Sequence, residues 1–271
     1  MNSENSLRGR TVLITGGIRG LGREMALCLA KAGANLCITG TKRSGEFYKT
    51  ATELASISGD DNFIVETVNA CDPKAMNDFV DRCINKFTKI DVLINNAGRG
   101  MRLVSEKFNT KPTKFWEADP VSWSTIVSTN INGPFYATRA VVPYMIREKF
   151  GKIINISTSS QTMIRNGYSP YGPSKAFLEA TSRIWAQDLD GTGVDVNVLL
   201  PGGAADTDLL PPSNNKKGAD GNLLPASILN DAIIWLSSDE SNGISGSRFI
   251  GRYWDDLDSR QDGKGLNPQI M

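Results

Sequence analysis

Thr11-Val-Leu-Ile-Thr-Gly-Gly-Ile-Arg-Gly-Leu-Gly22 is the stretch from which the fold of this chain can be read. An apolar, β-branched run ends in a turn bearing Gly16, Gly17, Gly20 and Gly22, and Leu21, Met25, Cys28, Leu29 and Ala32 then recur at helical spacing. The pattern predicts a buried strand feeding a helix through a glycine turn. Such a turn suits an anion, because glycines let the backbone approach a phosphate and a helix N-terminus offers unpaired N–H groups with a favourable dipole. A nucleotide or dinucleotide is the natural ligand. The glycines fall as Gly16-x-x-x-Gly20-x-Gly22 rather than in the general G-x-G-x-x-G order. No G-x-x-x-x-G-K followed by serine or threonine is present, which disfavours a nucleoside-triphosphatase loop.

Outward from that turn, composition bounds the answer. The 271 residues suffice for a single large α/β domain spanning residues 1–271. A formal net charge of +1 argues against nucleic acid or a membrane surface as partner, so a small-molecule substrate is expected. No apolar run reaches the length of a membrane span, and residues 1–10 lack the apolar core of a signal peptide, which makes a cytoplasmic location the expectation. Cys28, Cys37, Cys71 and Cys83 form no C-x-x-C pair and read as buried structural thiols. The chain has no histidine, which removes every Ser-His-Asp or Cys-His system and any zinc site that needs imidazole. No metal is expected, and acid–base chemistry must come from Tyr, Lys, Asp, Glu or Cys.

After the first helix, Gly33 reads as its C-cap, and Leu36-Cys-Ile-Thr39 is a short strand ending at Gly40-Thr-Lys-Arg43. In a dinucleotide fold this strand end meets the adenosine ribose, where a carboxylate binds the 2′-hydroxyl and basic residues accommodate a 2′-phosphate. Gly40 stands where the carboxylate would be, followed by Lys42 and Arg43, with Arg19 in the glycine turn. NADP(H) is therefore expected over NAD(H). A merely solvated basic loop is the alternative.

A helix from about residue 44, a strand at 63–65 and an amphipathic helix opened by Asp72-Pro73 come next. That helix carries a core stripe of Met76, Phe79, Val80, Cys83, Ile84 and Phe87. The strand Asp91-Val-Leu-Ile94 runs into Asn95-Asn-Ala-Gly98, at the carboxyl end where open α/β sheets place ligands. Helices are predicted at about 120–147, 174–189 and 227–236, and strands at 152–156, 194–200 and 248–250. Seven strands with crossover helices imply a doubly wound parallel sheet with helices on both faces. The polar, proline- and glycine-rich stretch near residues 201–226 is long enough to be a substrate loop or lid.

Chemistry concentrates at Tyr171-Gly-Pro-Ser-Lys175, where tyrosine and lysine at i and i+4 share a helix face. A phenol titrates near about 10, and a cation beside it favours the phenolate. Such a pair can act as general acid toward a carbonyl and as base toward an alcohol.

Thr15-Gly16-x-x-x-Gly20-x-Gly22, Asn95-Asn-Ala-Gly98, Asn130, Ser157-Thr-Ser-Ser160, Tyr171-x-x-x-Lys175 and Pro201-Gly202 succeed one another in this order. The combination resembles the short-chain dehydrogenase/reductase superfamily over roughly residues 8–250. The resemblance implies a Rossmann-like fold, a nicotinamide cofactor and hydride transfer between that cofactor and a carbonyl or secondary alcohol. It makes Tyr171 the catalytic acid/base, with Lys175 binding the nicotinamide ribose and lowering the tyrosine pKa. Asn130 corresponds to the asparagine that positions a water for proton relay. The family's catalytic serine lies 13 residues before the tyrosine, which lands on Thr158, with Ser157 or Ser159 as alternatives.

Cofactor contacts are implied at Gly16, Ile18, Arg19, Gly20 and Leu21, at Thr41, Lys42 and Arg43, and at Asn69 and Ala70. They are implied also at Asn96, Ala97, Gly98, Tyr171, Lys175, Pro201 and Gly202. Asn69 stands where the family commonly has an aspartate for the adenine amino group, and its amide can still accept. Homodimers or homotetramers are implied, formed through the helix bearing Tyr171 and the long one before it, where Phe177 and Trp185 could serve interface or core.

The departures concern substrate. Residues 98–130 form a longer segment than usual, Thr207 falls one residue late, and residues 246–254 lack the common valine-aspartate-glycine-glycine close. Two other readings stand beside a reductase: an NADP(H)-binding regulator or scaffold with weak or lost catalysis, and a dehydratase or epimerase on the same fold.

Overall fold

Alternating rows of aliphatic side chains build the centre of the molecule. The computed structural model describes residues 6–212, 216–218 and 221–254. Its strands are β1 (Thr11–Ile14), β2 (Asn35–Gly40), β3 (Phe63–Thr67), β4 (Val92–Asn95), β5 (Gly151–Ile156), β6 (Val194–Leu200) and β7 (Arg248–Ile250). All pair in parallel in the order β3-β2-β1-β4-β5-β6-β7. Val12 stands in register with Leu36 and Val92, and Leu13 with Cys37 and Leu93. Because successive strand residues face opposite ways, the first row feeds one core cluster and the second row the other.

Helices cover both faces. On one lie α1 (Gly20–Lys31), α2 (Gly45–Ser58) and the late helix near residue 233, through Met25, Leu29, Leu54 and Ile233. On the other lies α3 (Pro73–Phe87), whose Met76, Phe79, Val80 and Cys83 are buried as its stripe predicted. Asp72 caps α3 by accepting from the backbone N–H groups of Lys74 at 2.9 Å and Ala75 at 3.1 Å. Truncating the fully buried Phe79 to alanine would cost about 3–5 kcal/mol.

The predicted helix at 120–147 is broken into three: α4 (Pro120–Val127), a π-helical turn (Ser128–Asn132) and α5 (Gly133–Glu148). One extra residue in a turn re-aims the helix beyond it, and here it carries the fully buried Asn130. After the short α6 (Ser160–Met163) comes α7 (Tyr171–Asp188), three residues earlier than expected. Pro173 is tolerated there because N–H groups of a first helical turn have no intrahelical partner. The last α-helix among the described residues, α8 (Asn230–Ser237), starts later than expected, residues 226–229 forming turns instead. Gly33 follows the C-cap residue Ala32 and takes φ +89°, so it sits one position beyond the cap expected of it.

Trp185 packs against the core cluster beneath α3 and α5, whereas Phe177 is 49% exposed. All four cysteines carry free thiols; Cys37 and Cys83 are buried, Cys28 and Cys71 partly so. Burial pushes the Cys28 thiol up to about 12, with the carboxylates of Asp231 and Glu24 adding to the effect. Among the described residues no helix is long and apolar enough to cross a membrane.

Candidate active site

The strand order reverses between β1 and β4, and the two loops leaving those strands lock to each other there. Thr15 Oγ1 accepts from the backbone N–H groups of Asn96 and Ala97, both at 3.1 Å. Asn96 Nδ2 returns the contact by donating to the carbonyls of Thr15 at 3.0 Å and Gly16 at 2.9 Å. Gly16 holds φ +68°, and a methyl there would come within 3.0 Å of Ala97 Cα. A methyl at Gly22 would collide with the Gly16 carbonyl and the Asn96 amide. Side chains are thereby kept off the turn, and no side chain caps the first turn of α1. Those open N–H groups, and a cavity of about 960 Å³ in front of them, fit the pyrophosphate of a dinucleotide.

Most of the residues singled out in the sequence line this cavity. Gly16, Ile18, Arg19, Gly20 and Leu21 are among its lining residues, with Thr41, Asn69 and Ala70. Asn96, Ala97, Gly98, Thr158, Tyr171, Lys175, Pro201 and Gly202 line it as well. Lys42 and Arg43 do not line it; both are exposed beyond Thr41, where the chain turns outward into α2. Arg19 does line it and pairs with Asp208 at 3.2 Å, both side chains being about half exposed. Asn69 Oδ1 accepts from Cys71 N at 3.1 Å, which holds its amide at the wall.

Helix α7 carries Tyr171 and Lys175. Tyr171 keeps part of its surface open to the cavity, yet protein surrounds it closely enough that burial pushes the phenol up to about 12. A hydrogen bond from Thr158 acts in the opposite direction, and Tyr168 adds a smaller upward push. One turn along, Lys175 is 6% exposed and donates to the Ile156 carbonyl at 2.7 Å. Burial brings its ammonium down to about 8, partly opposed by the carboxylate of Glu179. Within the protein alone, then, burial sets the direction for the phenol, and the lowering by Lys175 that the sequence suggested is not among the effects that act on it.

Of the three candidate hydroxyls, only Thr158 faces the phenol. Ser157 Oγ donates to Glu179 at 2.6 Å, and Ser159 caps α6, accepting from Thr162 N at 3.2 Å.

Asn130 stands behind the cavity wall. Its Oδ1 accepts from Arg99 N at 2.8 Å, and its Nδ2 donates to the Arg99 carbonyl at 3.0 Å and to Ser174 Oγ at 2.9 Å. Ser174 in turn donates to the Tyr171 carbonyl at 2.6 Å. Both amide hydrogens are thus committed to joining the loop after β4 to the first turn of α7.

Sequence reasoning did not pick out Arg99, Arg165 and Arg252, which also line the cavity. Nor did it find Glu179 and Arg248, which meet in the interior at 2.9 Å. A glutamate four residues after Lys175 was the available signal, since i and i+4 share a face.

A parallel sheet with a phosphate-shaped glycine turn and a tyrosine–lysine pair at its carboxyl edge defines a class of nucleotide-dependent α/β enzymes. The profile of the short chain dehydrogenase family matches residues 10–218. A 3-oxoacyl-(acyl-carrier-protein) reductase FabG of Thermotoga maritima is 30% identical over 249 residues, covering 89% of this chain and 95% of that protein. FabG of Escherichia coli K12 is 27% identical over 248 residues, covering 89% of this chain and 95% of the relative. The short chain dehydrogenase mpl6 of Monascus purpureus is 28% identical over 253 residues, covering 91% of this chain and 82% of the relative. The chain belongs to the short chain dehydrogenase family and is an NAD(P)-dependent oxidoreductase.

Proposed function

We propose that the protein interconverts a carbonyl and a secondary alcohol with NADP(H), using Tyr171 as acid and base. The observation that carries this reading is the convergence of Thr158, Tyr171 and Lys175 on the same cavity that the glycine turn lines. The bound dinucleotide supplies a hydride to the carbonyl carbon or removes one from the alcohol carbon. Thr158 donates a hydrogen bond to the substrate oxygen. Tyr171 gives its proton to that oxygen in reduction and takes it back in oxidation, so atoms and charge balance in each direction. Lys175, anchored on Ile156, has further N–H donors for ribose hydroxyls. Asn130 ties the loop after β4 to α7 through its side chain, and a relay water would be held at its backbone carbonyl in the π-turn. The stretch at 201–226 acts as the substrate loop: residues 201–205 and 207–210 border the cavity, and part of the stretch lies outside the described residues.

Preference for NADP(H) rests on Arg19 at the cavity wall and on Gly40, where no carboxylate opposes a 2′-phosphate. Exposed Phe135 on α5 and Phe177 on α7 favour self-association through that face. The substrate in the names of the two FabG relatives makes a 3-oxoacyl thioester the first probe.

Titration with NADPH and with NADH, monitored by nicotinamide fluorescence, comes first, and then turnover on acetoacetyl-coenzyme A and a panel of ketones. The expected result is tighter NADPH binding, and turnover that falls by at least about a thousandfold in Tyr171→Phe while NADPH still binds. Retained turnover in that variant removes Tyr171 from its role; binding of neither dinucleotide removes the enzyme reading.

A further inference from the structure

The segment that carries Thr158 is gripped at three consecutive residues. Ile156 presents its carbonyl to Lys175 Nζ at 2.7 Å. Ser157 turns its hydroxyl to Glu179 at 2.6 Å. Thr158 presents its carbonyl to Arg248 Nη2 at 3.1 Å. Arg248 Nε closes the arrangement by donating to both Glu179 oxygens, at 3.1 and 2.9 Å. Glu179 is 1% exposed and Arg248 4%, so the pair is wholly interior and joins α7 to the edge strand β7.

A buried ion pair is a poor way to obtain stability alone, because desolvation consumes much of the attraction and apolar side chains of similar volume do as well. What an apolar pair lacks is directed donors and acceptors. Here those directions converge on residues 157 and 158: the carboxylate takes the hydroxyl of one, and the guanidinium takes the carbonyl of the next. With the backbone held on both sides of the Thr158 Cα, only the side-chain torsion remains to aim its hydroxyl at Tyr171. Lys175 and Glu179 also lie one turn apart on the same face of α7, so the helix that presents the phenol sets the height of its partner.

We propose that Glu179 and Arg248 are a positioning pair that fixes Thr158 against Tyr171 and so tunes the proton-transfer geometry of the reaction. Neither residue lines the cavity. This inference rests on the assignment of Thr158 and Tyr171 under Proposed function.

The test replaces both members together, Glu179→Leu with Arg248→Met, so that no unpaired charge is left inside. Acetoacetyl-coenzyme A serves as the probe substrate. The expected result is a kcat at least about tenfold lower, with the NADPH Kd and the KM within about threefold of the parent. The same two substitutions made on a Thr158→Val background, where no hydroxyl remains to be aimed, change kcat by less than about twofold. An unchanged kcat in a folded double variant overturns the proposal, and so does an equal loss in both backgrounds. Should the double variant fail to fold, Arg248→Lys, which keeps the charge but loses the forked donor to Thr158, takes its place with the same expectations. A crystal structure of the variant decides the matter without any substrate: Thr158 Oγ1 displaced from Tyr171 supports the proposal, and an unmoved hydroxyl overturns it. A parent protein inactive on every carbonyl tested counts against the proposed function, while that crystal structure still judges the positioning pair.

Discussion

Asn130→Ala probes the joint between the two halves of the site. The amide is fully buried and makes three hydrogen bonds, to both backbone groups of Arg99 and to Ser174 Oγ. Each neutral bond contributes about 0.5–1.5 kcal/mol, and a buried group left unpaired costs about 1–3 kcal/mol. Arg99 is only partly buried, so water can reach its peptide and replace some of the loss. Ser174 keeps its bond to the Tyr171 carbonyl. The total comes to roughly 2–4 kcal/mol. For a domain of this size, roughly 2–4 °C of Tm per kcal/mol translates that into a fall of about 4–16 °C.

Thermal unfolding by circular dichroism measures the fall, and the same protein titrated with NADPH reports whether the loop after β4 has moved. Asn130→Asp sharpens the test, because it preserves shape and the acceptor toward Arg99 N but sets a carboxylate oxygen against the Arg99 carbonyl. It should melt no higher than Asn130→Ala. A loss below about 1 kcal/mol in both variants would refute the reasoning, since a saturated buried amide cannot be removed so cheaply.

The same geometry sets three further outcomes. Lys175 loses its proton as pH rises through about 8 while Tyr171 keeps its own until about 12, so reduction in the free enzyme should fall above about pH 8. A kcat/KM profile for reduction that is flat from pH 6 to 10 would contradict that ordering. Arg19→Ala should weaken NADPH by about tenfold more than NADH, whereas Lys42→Ala with Arg43→Ala should have the smaller effect, since neither residue lines the cavity; paired dinucleotide titrations read both. Thr15→Val should lower Tm by several degrees, because the hydroxyl it removes serves two N–H groups of the loop after β4.

Local encoding accounts for most of what was legible in the sequence. Thr11 to Gly22 shows its strand, turn and helix in twelve successive residues, and α3 shows its cap and its stripe. The spacing of Thr158 before Tyr171 was equally informative, because β5, α6 and α7 carry the two residues to facing positions. Direction was harder. Lys42 and Arg43 come directly after Thr41, yet both are exposed and neither lines the cavity that Thr41 borders. The π-turn at Asn130 was hidden because one inserted residue scarcely disturbs a hydrophobic period. Glu179 and Arg248 stand 69 residues apart, and only the β6–β7 pairing brings them together.

The two shifted groups of the site have one cause between them. Burial disfavours whichever form is charged, so it raises the phenol and lowers the ammonium. At neutral pH Tyr171 therefore holds its proton, which is the state a carbonyl needs in an acid, while Lys175 keeps its charge only below about 8. Thr158 is the group that pulls the phenol back toward ionisation. In the protein alone the site therefore rests as a proton donor even with that hydrogen bond in place. Thr158 has a single hydroxyl proton, so the aim that Glu179 and Arg248 give it decides whether that proton meets the phenol or the substrate oxygen.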